Sequence, residues 1–108
     1  MKEPARFDPY LLDTLLPDLV GHDRQPSAFL VYLYLADRVT RGRTRGCAVS
    51  LSRLAVDTGL SKTAIQRALR TLVRRRLVRV DRTAATAVPL YTPLRPWARR
   101  EKGSMIAR

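Results

Sequence analysis

The chain has one cysteine, Cys47, and one histidine, His22. A lone cysteine excludes an internal disulfide and fits a reducing compartment. With one histidine beside it, the usual ligands of a tetrahedral zinc centre cannot be assembled, and no metal is expected. Long apolar runs are missing too. The most apolar, AFLVYLYLA at 28–36, falls far short of the roughly 20 residues that a membrane span needs. The N-terminus lacks the charged, apolar and cleavage regions of a signal peptide, so the expectation is a soluble cytoplasmic protein with no membrane partner. No nucleophile stands with a histidine and a carboxylate, and no glycine-rich phosphate loop occurs. An enzyme is therefore not expected, and neither a cofactor nor a small-molecule ligand is implied.

Acidic residues are scarce, and their distribution is uneven. Residues 1–40 hold 4 basic and 6 acidic side chains, whereas residues 41–108 hold 17 basic and 3 acidic ones, a local net of +14. The whole chain carries +12 at pH 7. A neutral-to-acidic front joined to a strongly basic back points to a polyanionic partner for the back. The length, 108 residues, suits one compact domain, and a 45% apolar fraction is that of a folded protein.

Along the chain, FDPYLLDTLLPDLVG opens with a helix signal. Asp8 can cap, Pro9 suits the first position, and Leu11, Leu12, Leu15 and Leu16 follow at helical spacing. Pro17 should end or kink that helix. The acids Asp8, Asp13, Asp18 and Asp23 recur every five residues, about 500° apart on an α-helix, so they should not share a face. QPSAFLVYLYLADRVTRG reads as a second helix, with Gln25 or Ser27 as its cap and Gly42 just past its end. It is apolar nearly all round, which makes it the centre of the core or part of a subunit interface. A homodimer through the N-terminal helices is the expected assembly. Tyr32 and Tyr34 point about 200° apart, so at least one should face a partner or the first helix.

RGRTRG at 41–46 is a basic loop, and CAVS can form one short strand. Ser50 caps a third helix whose buried stripe is Leu51, Leu54 and Ala55. Gly59 supplies a left-handed stop, Leu60 plugs the turn, and Ser61 caps a fourth helix. With Ile65 as the zero of a helical wheel, Ala68, Leu69, Leu72 and Val73 fall within about 80° of it and form the buried face. Thr63, Arg67, Arg70 and Arg74 lie at about 140–200°, with Gln66 near 100°. That outer face contains no acid, whereas a merely solvated face usually mixes Glu with Lys. Arginine can donate twice to guanine and glutamine can pair with adenine in a major groove. Then LVRVDRTAATAVPLYT alternates, as two strands around a turn near Asp81–Thr86, with Pro89 in an edge position. The tail from Arg95 should pack by Trp97 and fray beyond it.

Two short helices joined by a glycine turn form a helix-turn-helix. The pieces FLVYLYLADRV and SLSRLAVDTGLSKTAIQRALRTLVRRRLVRV make residues 27–80 resemble the winged helix-turn-helix domain of bacterial and phage regulators and plasmid replication initiators. The resemblance implies a mainly α (α+β) fold with about four helices, a short strand and a C-terminal β-hairpin wing. It implies three regions: an N-terminal helical extension at 1–24, the winged helix-turn-helix at 25–94, and a basic tail at 95–108. By the same resemblance, Ser61, Lys62, Thr63, Gln66 and Arg67 would read bases of double-stranded DNA. Ser50, Arg53, Arg70, Arg74, Arg82, Arg43 and Arg45 would meet its backbone, and the protein would act as a transcriptional regulator. The family usually has glycine after the recognition helix, whereas this chain has Arg76. A left-handed arginine there costs on the order of 1 kcal/mol, and a short, weakly contributing wing is expected. Two other readings use the same fold. An RNA- or ribosome-binding protein would favour aromatic platforms, which the outer face lacks. A protein-interaction module leaves the arginine stripe unexplained.

Overall fold

Helix α1, Pro26–Gly42, is the centre of the molecule. In the computed structural model, which describes residues 4–83 and 87–98, the chain continues through β1 (Cys47–Ala48), α2 (Leu51–Thr58), α3 (Lys62–Arg74), β2 (Val78–Asp81) and β3 (Leu90–Pro93). The near-continuous apolar character of α1 is explained by what surrounds it. Ala28, Phe29, Val31, Tyr32 and Leu35 are buried, and the helix packs against α3, α2 and β3 at once. Each large side chain buried this way stabilises the fold by about 1.5–3 kcal/mol. Both α1 tyrosines find partners within the chain. The Tyr32 hydroxyl donates to the Leu94 carbonyl at 2.7 Å, and that of Tyr34 donates to Asp57 on α2 at 2.6 Å. Burial and the Asp57 contact push Tyr34 up to about 12, so it stays a neutral donor.

Several boundaries differ from the sequence reading. The helix signal at the N-terminus is real, but its winding is wide. Leu11–Leu15 and Pro17–His22 are π-helical, with Asp23 N–H donating to Asp18 O at 2.9 Å. Pro17 therefore does not end the helical path. It stands at the first position of the second segment, where no N–H is required. Leu11, Leu15 and Leu19 face the core, whereas Leu12 faces solvent. Gly42 is the last residue of α1 rather than the residue beyond it, and Arg43 takes the left-handed conformation at φ 55°.

The wide winding also overturns the separation expected of the aspartates. Helical turns closed by i→i−5 bonds bring residues five apart close together. Asp18 and Asp23 accordingly converge on one guanidinium, that of Arg75 just beyond α3, each at 2.5 Å. Asp8 is used differently. It caps Tyr10 N–H at 3.0 Å and accepts from Trp97 Nε1 and Arg95, each at 2.8 Å. Trp97 stacks on Tyr10 with ring centroids 4.3 Å apart, so the start and the far end of the described chain are joined over α1.

The sheet is antiparallel in the order β1-β3-β2, with Cys47 opposite Tyr91 and Val80 opposite Tyr91 on the other side. β3 is thus the central strand, and Pro89 does not occupy an edge position within it. It precedes the strand, where its carbonyl accepts from Val49 and its missing N–H breaks no ladder bond. The expected turn falls partly on residues 84–86, outside the described residues.

Two outcomes follow from these ties. The bonds from Trp97, Tyr10 and Arg95 hold the Asp8 carboxyl at about 2, below its ordinary 3.8. A depressed carboxylate stabilises the fold above its unfolded value, and that contribution is lost as pH falls from about 4 towards 2. In thermal unfolding followed by circular dichroism, Asp8→Asn should show a shallower loss across that window than the parent; parallel curves would contradict the assignment. The second outcome concerns the clamp. Arg75→Ala should lower stability by about 1–2 kcal/mol, between the exposed and buried limits for ion pairs. Arg75→Lys should recover only part of this, because a point charge cannot fork to two carboxylates. Full recovery by lysine in denaturant titrations would show that charge alone suffices.

Candidate nucleic-acid interface

The helix-turn-helix is built as its residues require. Ser50 accepts from Arg53 N–H at 3.1 Å and starts α2. Gly59 ends it at φ 79°, with its N–H donating to Ala55 O at 2.9 Å. Leu60 is half-buried against the core, and Ser61 accepts from Ala64 N–H at 3.0 Å to start α3. One contributor was missed. The Thr58 hydroxyl donates to Leu54 O at 2.6 Å and accepts from Leu60 N–H at 3.2 Å, bracing the turn from inside. Its signal was the Thr-Gly pair itself, because a threonine can bond back one turn.

On α3 the buried residues are Ile65, Ala68, Thr71 and Leu72. Leu69 is half-buried, and Val73, expected in the buried face, is 45% exposed. Thr71 lies on the opposite flank from Val73, so the true inner face is rotated from the one centred on Ile65. The residue just beyond the helix lies on that same flank. Arg75, a residue that charge alone would have placed outside, is drawn inward by Asp18 and Asp23, and bonds to both carboxylates raise its pKa. Asp18, His22 and Asp23 come within 4.8 Å of one another, a grouping of metal-ligand types that the sequence reading did not foresee. The Arg75 guanidinium already supplies the cation there.

The opposite face is open. Ser61, Lys62, Thr63, Gln66, Arg67, Arg70 and Arg74 are all exposed, and the four cations among them have no acidic partner among the described residues. Between this face and the β2–β3 hairpin runs an open groove of about 980 Å³. It gathers Ser50, Gln66, Arg70, Arg74 and Arg82, five of the residues singled out from sequence, and among the described residues no carboxylate lines it. Its floor was not anticipated: Leu69, Val73, Val80, Val88 and Tyr91 make it apolar. Burial keeps the Tyr91 phenol above its ordinary pKa, hence neutral.

The remaining candidates stand apart. Arg53 is exposed on α2 and pairs with Asp57 at 3.4 Å. Arg43 lines a separate hollow with Arg6, Thr40 and Arg41, and Arg45 is exposed in the same loop without reaching the groove. Arg76 keeps the geometry that glycine usually provides. It takes φ 59°, and Leu77 N–H donates back to Leu72 O at 2.8 Å, closing α3 with a left-handed stop. The strain of that stop, on the order of 1 kcal/mol, is offset by the closing bonds and by burial of Leu77.

Among the described residues, no helix is long and apolar enough to cross a membrane. Neither the curated proteins nor the solved structures include a significant match to the chain. The family model of the helix-turn-helix domain matches residues 25–78, from the start of α1 to the first residue of β2. With half of its length matched and the turn, both caps and the exposed second helix in place, this chain belongs to the helix-turn-helix domain family.

Proposed function

We propose that this protein is a sequence-specific double-stranded DNA-binding regulator that inserts the helix at 61–74 into the major groove. The observation that carries the reading is the outer face of α3, exposed and free of acid along its whole length. In this reading Ser61, Lys62, Thr63, Gln66 and Arg67 meet base edges at the end of the helix that enters the groove. Arg70 and Arg74 meet phosphates, joined by Ser50 at the start of α2 and by Arg82 on the hairpin. Arg53 divides its charge with Asp57 and contributes less. Arg43 and Arg45 stand off the groove and act as long-range positive field.

The protein works as a homodimer reading two half-sites about 34–36 Å apart, or a multiple of that spacing. Support for the pairing surface lies on the N-terminal side of the fold. Leu30 is 44% and Phe7 37% exposed around a shallow hollow that α1, including Asp37, shares with Ala5, Phe7 and the end of α2. The Asp37 Oδ1 atom is buried there without a partner among the described residues.

Selection of bound duplexes from a random library, at stated salt and with folded RNA as competitor, tests the reading. A palindromic motif is the expected result, and enrichment of RNA over duplex would overturn it. On the selected site, Arg67→Ala should lower affinity by about 1–3 kcal/mol and relax preference at one base pair. Arg74→Ala should weaken all sequences alike and reduce the salt slope by about 1. A footprint and affinity untouched by both substitutions would remove α3 from the groove.

A further inference from the structure

The apolar floor of the groove between α3 and the hairpin has no task in the contacts assigned so far. Strand alternation places Val78 and Val80 on one face of β2. Val78 is 2% exposed against the core, whereas Val80, two residues nearer the hairpin tip, overhangs it at 38%. Val73 approaches from α3 at 45%, and Val88 closes the strip at 55%. The core's apolar surface therefore runs out into solvent. It emerges between Gln66, Arg70 and Arg74 on one wall and Arg82 on the other. An apolar strip rimmed by polar groups is a feature of binding grooves. With cations and neutral polar groups at its rim, and no carboxylate among the described residues, the groove suits an occupant that is anionic along its edges and apolar along its middle.

We propose that this groove seats one strand of the duplex backbone, with deoxyribose C–H faces lying on Val73, Val80 and Val88, and that this floor rejects ribose. The inference rests on the DNA reading above and adds a sugar preference to it. A deoxyribose presents C2′ as a plain methylene, which gains by contact with valine. A ribose presents a hydroxyl at that atom. Pressed on the valines, the hydroxyl gives up its water and finds no acceptor or donor in exchange, a penalty worth about tenfold or more in affinity. The 2′-hydroxyl is the group by which a protein distinguishes RNA from DNA at a given nucleotide. Here the discrimination is made by what the floor lacks.

The test uses the full chain and the best duplex from the library selection, with single ribonucleotides placed at each position in turn. Affinity should fall about tenfold or more at two or three successive nucleotides of one strand and hold elsewhere. A 2′-fluoro sugar, which keeps the ribose-like pucker without the hydroxyl, should restore most of the binding at those positions. In Val80→Ser affinity for the all-DNA duplex should fall, and the ribonucleotide penalty, read as the ratio to that variant's own all-DNA affinity, should shrink. A flat ribonucleotide scan on a tightly bound duplex overturns this inference and leaves the DNA reading intact. A 2′-fluoro penalty equal to that of the hydroxyl also overturns it, because helix shape would then be what is sensed. Failure to bind any duplex, or preference for an acidic peptide, removes the DNA reading and this inference with it.

Discussion

The packing of α3 on α1 is the constraint on which everything else depends. Ile65, Ala68, Thr71 and Leu72 are the buried side of α3, which packs against α1, and that choice of inner face fixes the outer one. A helix of this length has one apolar arc, and burying it leaves the arginines no place but solvent. Truncating a buried leucine to alanine in such a core costs about 2–5 kcal/mol, so the orientation is strongly determined. The exposed acid-free stripe is thus a consequence of core packing, and any nucleic acid would meet a face already set.

Two polar ties hold the ends of the chain against this core. At the N-terminal side Asp18 and Asp23 grip Arg75, which ties the π-helical segments to the C-terminal end of α3. On the other side Asp8 gathers Trp97, Arg95 and the Tyr10 amide, so the strand-to-tail connection is sealed beside α1. The acids of the front half are largely consumed internally. This gives the charge asymmetry of the sequence a structural meaning. The front uses its carboxylates as anchors, and Lys62, Arg67, Arg70 and Arg74 on α3 are left without an acidic partner among the described residues.

Much of the fold could be read from local chemistry. Ser50, Gly59 and Ser61 announced two caps and one turn because each acts on backbone groups within four residues of itself. The wheel around Ile65 separated cations from the core because α-helical periodicity is regular. Val73 lies outside the core because the buried face is centred not on Ile65 but on the side towards Thr71, where α3 packs on α1. The aspartates were misjudged because α-helical spacing was applied to a stretch wound with i→i−5 bonds, and winding of that kind depends on what the segment packs against. The groove escaped notice because its walls come from α2, α3, β2 and the approach to β3, which no spacing rule connects.

What the sequence by itself determined is the order of the helices, the caps Ser50, Gly59 and Ser61, and the chemical character of the outer face of α3, because these follow from interactions within a turn or two of the chain. Tertiary structure alone decided that Arg75 turns inward, that β3 is central, and that Val73, Val80 and Val88 line one apolar floor between cations. Those outcomes depend on contacts between residues far apart in the chain. Their energies depend on distances that only the folded core sets.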